Sequence, residues 1–182
     1  MLAIFKREFK SYFQNVIGWL FVAALLAVYG LYFYVYNLKN GYPYISYDLN
    51  GIGFIMMIAV PILTMRSLSD EKKTKTDQLM LTSPVSVGRI VAGKYLAMAA
   101  VYTIVIALFA LSPLVLSIYG KVALSEAYVA LFGYWLYGLS CIAVGLFISS
   151  ISESVIISAI LTFTALFLSL IHISEPTRHS LI

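Results

Sequence analysis

The chain has 182 residues, of which 62% are hydrophobic and only 11% charged, against about 25% charged in an ordinary soluble domain. Its net charge of +4 comes from basic residues that flank apolar runs instead of forming one tract, which argues against a nucleic-acid binder. With a mean hydropathy of +0.93, the composition is that of an integral membrane protein of one domain.

The amino-terminal stretch "MLAIFKREFKSYF" puts Leu2, Phe5, Phe9, Tyr12 and Phe13 at helical spacing, with Lys6, Arg7 and Lys10 elsewhere on the wheel. It predicts an amphipathic helix lying on the inner membrane surface. It does not read as a signal peptide, because the apolar run behind it is too long and no small-x-small cleavage site follows. The first span covers roughly 16–36, and at about 1.5 Å per residue it reaches about 32 Å, enough to cross a bilayer. Tyr29, Tyr32, Phe33, Tyr34 and Tyr36 gather at its outer end, and Tyr42, Tyr44 and Tyr47 follow. Such rings favour the headgroup zone, and a substrate-binding aromatic cluster is the alternative reading.

A second span is predicted over about 49–65, a third over about 95–118, a fourth over about 127–150 and a fifth from about 155 onward. All must be helices, because an unpaired backbone is too costly in lipid. Pro61 and Pro113 interrupt the second and third spans and predict bends there. In the fourth, Gly138, Cys141, Gly145 and Ser149 share one helical face, a pattern that lets membrane helices approach closely. Cys141 is the single cysteine, so neither an intrachain disulfide nor a cysteine-built metal site is possible, and it reads as a small buried residue.

Between the second and third spans lies "MRSLSDEKKTKTDQLMLTSPVSVGRIVAGKYLA", residues 65–97. Ser67 with Asp70 three residues later resembles a capping box, so a short charged helix should start there. Leu79, Met80 and Leu81 give it an apolar end before Pro84, and Ser86 is placed to cap the helix that leads into the third span. A solvated loop has no use for that apolar end; a docking element for a partner protein does.

Lys6, Arg7 and Lys10 precede the first span, and Arg66, Lys72, Lys73, Lys75, Arg89 and Lys94 lie between the second and third. The two opposite loops hold only Lys39 and Lys121. The positive-inside rule then makes the amino terminus, the 66–94 loop and the short 151–154 turn cytoplasmic. Lys94 is read as one of these topology charges. No Asp, Glu, Lys, Arg or His falls well inside a predicted span, and no zinc-binding His pair, Ser–His pair or phosphate-cradling loop is present. The chain is therefore expected not to be an enzyme, to bind no cofactor or metal, and to use energy supplied elsewhere.

Three stretches carry a family resemblance: "FKREFKSYFQNVIGWLF", "PILTMRSLSDEKKTKTDQLMLTSPVSVGRIVAGKYLA" and "YGLSCIAVGLFISSISES". They resemble the permease subunits of ABC type-2 exporters, in the branch that includes the gliding-motility-type permeases, over residues 1–167. The resemblance implies an all-α polytopic membrane bundle with an amino-terminal elbow helix, here carrying Phe5, Lys6, Arg7, Phe9 and Lys10. It implies a homo- or heterodimer of permease subunits paired with cytoplasmic ABC ATPase subunits, which hold ATP and Mg, in the cytoplasmic membrane of a prokaryote.

The loop between spans two and three would be the coupling helix that docks on the ATPase, using Ser69, Asp70, Glu71, Lys72, Lys73, Asp77, Leu79, Met80 and Leu81. The 151–154 turn would add a second small contact. The family's usual "KKTGTIELLLT" reads "KKTKTDQLMLT" here, with Lys75 in place of a glycine and the acidic residue one position earlier, at Asp77. A non-transporting membrane scaffold shares the spans and the lack of catalysis and is the alternative; an intramembrane enzyme has no residues to support it. The substrate is not readable.

The family usually has six spans and this chain reaches a fifth. Its "LSLIHISEPTR", from Leu168 to Arg178, matches the in-frame translation of a common transposon-end sequencing adapter. Residues 1–167 are therefore expected to be an incomplete permease domain and 168–182 no domain at all. His172, Glu175 and Arg178 are expected to carry no function.

Overall fold

The computed structural model describes residues 2–73, 86–120 and 122–174, and these form an all-α bundle. Helix α1, Leu2–Gln14, lines up Phe5, Phe9 and Phe13, whose rings follow one another at 5.8 and 5.0 Å. These rings are half-buried, while Lys6, Arg7 and Lys10 are exposed. The chain turns at Asn15, which is extended, and α2 follows over Val16–Tyr32. A Cβ at Gly18 would collide with the Tyr12 carbonyl, so the absence of a side chain there lets α2 pass close under α1. Trp19 closes the joint: its indole N–H donates to the Phe13 carbonyl at 2.8 Å and its ring meets Phe13 edge-on.

Helix α2 continues as a π-helical stretch, Phe33–Lys39, and α3 then covers Ile45–Thr64. Helix α4 is short, Ser69–Lys73. Helix α5, Val87–Phe109, is followed after two residues by α6, Ser112–Tyr119. Helix α7 covers Leu124–Ile151 and α8 covers Val155–Ser174. Four helical segments are long and apolar enough to cross a membrane, Val16–Lys39, Ile45–Lys72, Val87–Tyr119 and Leu124–Ile151, and a shorter apolar stretch, Val155–Ile171, follows.

Helix α3 is the axis of the bundle, packed by α2, α7 and α8. Its Ile52, Met56, Val60 and Leu63 recur at helical spacing and are all but fully buried. Phe21, Leu25 and Tyr29 of α2, Met98, Tyr102, Val105 and Phe109 of α5, and Ile142 and Leu146 of α7 complete the core. Large apolar side chains such as Leu31, Phe147, Ile156 and Ile160 point outward, which in a chain of this composition is a surface made for lipid.

The two prolines behave differently. Pro61 sits inside α3 without ending it. Pro113 opens α6 and divides the third span in two. Having no N–H, it leaves the Phe109 carbonyl without a helical donor. The Ser112 hydroxyl supplies one at 2.7 Å, and the Tyr29 hydroxyl bonds to Ser112 in turn. The Tyr29 ring also stacks on Phe109 at 3.9 Å, so α2 braces the break.

One expectation about charge is corrected. The apolar run predicts a second span from about residue 49, with Asp48 outside it. Helix α3 starts at Ile45, and Asp48 lies in its first turn, fully buried and hydrogen-bonded by the Asn37 side chain of the π-helical stretch. A carboxylate near a helix N-terminus suits the helix dipole, and the Asn37 carboxamide donates to one of its oxygens, while the other has no hydrogen-bond partner among the described residues.

Candidate functional site: the junction of α1, α4 and α5

The charged loop after α3 begins with a sharp turn at 65–68 and then the five residues of α4. So short a helix cannot stand alone in water. Two anchors from distant parts of the chain hold it.

The first anchor is Lys94 of α5. Its side chain is 2% exposed, which corrects its reading as a topology charge at the membrane surface. The ammonium donates to Glu71 of α4 at 2.7 Å and to the Ser67 carbonyl at 2.9 Å, and it lies 3.4 Å from Glu8 of α1. Burial of a lysine is costly unless its charge and its donors are matched, and three oxygens do this here. Glu8 also accepts from Arg7 at 2.8 Å. One buried cation thus ties α1, α4 and α5 together. Tyr12 of α1 stands beside it, and burial together with the Glu8 carboxylate raises its phenol so that it stays neutral.

The second anchor is Ser149 of α7. Its hydroxyl accepts the backbone N–H groups of Leu68 at 3.1 Å and Ser69 at 3.2 Å. These are donors that a helix leaves open at its start. The Ser69 hydroxyl lies 3.0 Å from the Ser149 hydroxyl and 3.1 Å from its carbonyl. The cap of α4 therefore comes from 80 residues away in sequence. This replaces the expected cap by Ser67, which precedes the helix start. Ser86 does occupy the cap position of α5, but through its backbone: its carbonyl accepts from Arg89 at 2.9 Å, and its side chain makes no capping bond.

Of the residues expected to face a partner, Ser69 is fully buried against α7, so it anchors the helix and presents nothing outward. Asp70 is exposed, and Glu71 and Lys72 are half-buried, with Glu71 turned to Lys94. Lys73 ends α4. The side chain of Lys73, and Asp77, Leu79, Met80 and Leu81, lie outside the described residues. Between α1 and the loop is a polar cavity of about 600 Å³ whose rim carries Arg7, Arg66, Asp70 and Glu71. Lys94 and Glu8 were the residues sequence reasoning missed; the signal for them was a lone lysine seven residues into a predicted helix and a lone acid in a basic amphipathic one.

The remaining predicted residues lie along α7. Gly138, Cys141 and Gly145 are buried with Ser149 on one face. A Cβ at Gly138 would strike the ring of Tyr102 on α5, and one at Gly145 would strike Thr64 on α3. Among the described residues no group of His, Cys, Asp and Glu is arranged to hold a metal ion.

A family model describing ABC-2 family transporter proteins matches residues 30–177, well over half of the chain. The chain belongs to the ABC-2 transporter family. It is a multi-pass membrane protein, and within ABC transport the family supplies the membrane component and not the catalytic one. The match covers α3, α4 and the described helices that follow, while α1 and most of α2 lie before it. Neither curated proteins nor solved structures gave a match.

Proposed function

We propose that this ABC-2 chain is the permease subunit of an ATP-driven exporter in the cytoplasmic membrane of a prokaryote. In this reading the amino terminus and the 66–94 loop are cytoplasmic, and a separate ABC ATPase, holding ATP and Mg, docks on that loop. A second permease subunit, identical or different, completes the pathway.

The double anchoring of α4 carries the proposal. A docking element transmits force only if it is fixed to the helices it must move. Helix α4 is fixed to α5 and α1 through Lys94 and to α7 through Ser149. A push on the loop is therefore delivered to two membrane-spanning helices and the elbow at once. Such rigid-body gating is a normal route for coupling a distant energy source to a pathway.

The apolar Leu79–Met80–Leu81 end of the loop would fill the ATPase groove. Replacing Leu79 and Leu81 with Asp is expected to reduce co-purification of an ABC ATPase at least tenfold while leaving the chain in the membrane. Undiminished co-purification would remove the docking assignment; a tagged wild-type chain that brings down no ABC ATPase would favour a scaffold.

A further inference from the structure

At the end of α3 opposite to α4, Asp48 is fully buried. Lys94 is buried against two carboxylates, but Asp48 has no cation. Among the described residues no lysine or arginine forms an ion pair with it, and its one hydrogen bond comes from Asn37. The elements packed on α3 supply no charge to it either. From α2 come Tyr29, near enough to feel a charge on Asp48, and Tyr32, whose ring lies against Gly51. The π-helical stretch brings Asn37 and the exposed Lys39. Helix α7 carries Glu126, exposed in its first turn, then Tyr128, Tyr134, Tyr137 and Cys141. Helix α8 has no titratable residue over Val155–Ile171.

The hydrogen bonds are incomplete at the same place. The Asn37 carboxamide donates from Nδ2 to Asp48 Oδ2. The remaining oxygen of each group, Asn37 Oδ1 and Asp48 Oδ1, is buried and has no hydrogen-bond partner among the described residues. An ionised carboxylate only accepts, and so does an amide oxygen, so these two atoms cannot satisfy each other. One proton changes this. On Asp48 Oδ1 it makes the carboxyl a donor, and the O–H can bond to Asn37 Oδ1. Acid and amide then close a ring of two hydrogen bonds, Nδ2–H to Oδ2 and Oδ1–H to Oδ1. Both orphaned oxygens are paired and the buried charge is gone. The helix dipole favours the anion, but it offers only about half a unit charge against an ion stripped of its water.

We infer that Asp48 is a proton-binding site, and that its proton latches the π-helical stretch to the first turn of α3. The ligand is the proton itself, so no cavity is needed to hold it. Loss of the proton leaves an anion with an amide oxygen and no cation beside it. The latch then opens toward water, and the joint between the first and second spans loosens. The π-helical turn is what brings Asn37 round to Asp48, and such turns occur frequently at functional sites. The inference needs no ATPase and is independent of the docking assignment.

The test is infrared spectroscopy of the purified full chain in lipid nanodiscs, prepared with isotope-labelled aspartate. The chain has three aspartates, Asp48, Asp70 and Asp77, and Asp70 is exposed. At neutral pH the label-shifted C=O stretch of a protonated carboxyl is expected, and it should be absent from Asp48→Asn. That variant replaces the O–H with an N–H, keeps the ring of hydrogen bonds and should fold. Thermal unfolding of the two proteins then gives the sign. An unfolded aspartate releases its proton above about pH 3.9, while the folded chain retains it, so folding takes up a proton. Wild type should therefore lose stability relative to Asp48→Asn as pH rises from about 5 to about 8. The loss is up to tenfold in the folding equilibrium per pH unit, until the folded chain also releases the proton. A spectrum without the protonated band overturns the inference, as does a stability difference that stays level or rises over that range.

Discussion

Lys94→Met is expected to destabilise the chain by about 3 kcal/mol, the lower end of the range for breaking a buried ion pair. Methionine keeps the shape of the side chain and removes the charge. Glu71 and Glu8 then lose the buried cation between them, Glu8 keeping only the exposed Arg7, and the Ser67 carbonyl loses its donor. The two carboxylates retain 19% and 15% exposure, which lets water recover part of the loss and sets the effect at the lower end. Thermal unfolding of the chain in lipid nanodiscs reads this directly.

The triple variant Lys94→Met, Glu8→Gln, Glu71→Gln should regain more than half of the lost stability, because it removes the stranded charges along with the cation. The proposed coupling to an ATPase should not recover with it, since α4 would still be released from α5. A Lys94→Met variant that melts like wild type would show that Lys94 is a surface charge after all.

Gly138→Leu is the second large effect. The added Cβ lands on the ring of Tyr102, a side chain with no exposed surface whose hydroxyl donates to the Tyr134 carbonyl at 2.8 Å. Neither the ring nor α7 has room to move, so α5 and α7 must separate. Overpacking of this kind costs about 1–3 kcal/mol, and the lost hydrogen bond adds about 1 kcal/mol. Denaturation should therefore show a loss of about 3 kcal/mol. Gly133→Ala, on the same helix but facing open space, should change stability by less than about 0.5 kcal/mol. Equal effects at the two glycines would contradict the packing of α5 on α7. Tyr102→Ala combined with Gly138→Leu should recover part of the loss, since it makes room where the leucine intrudes.

The helical architecture was legible because the apolar runs are long and the bilayer leaves helices as the only continuous choice. The ends of the helices were not. Asp48 looks like a loop residue by its charge, yet α3 includes it because Asn37, brought round by the π-helical stretch, pairs with it. Lys94 shows the same limit. Its charge suggested a topology signal; its burial depends on Glu71 and Glu8, and nothing in the local sequence points to them. Ser149 was legible as a small residue on a packing face. Its role as the cap of α4 depends on a contact between elements 80 residues apart. The break at Pro113 was legible from the proline, but Pro61 stays inside α3, and what braces the break, Tyr29 on Ser112, is again a tertiary contact. Local chemistry sets periodicity; which charges are buried is decided by tertiary partners.

In the proposed function an ABC ATPase pushes on the loop after α3. The most direct measurement places a photo-activatable cross-linking amino acid at position 80, between Leu79 and Leu81, in the full chain in native membranes. On illumination one dominant protein adduct is expected, with an ABC ATPase, lost when Leu79 and Leu81 are Asp. Adducts only with lipid, or with proteins that carry no ATP-binding site, would contradict it.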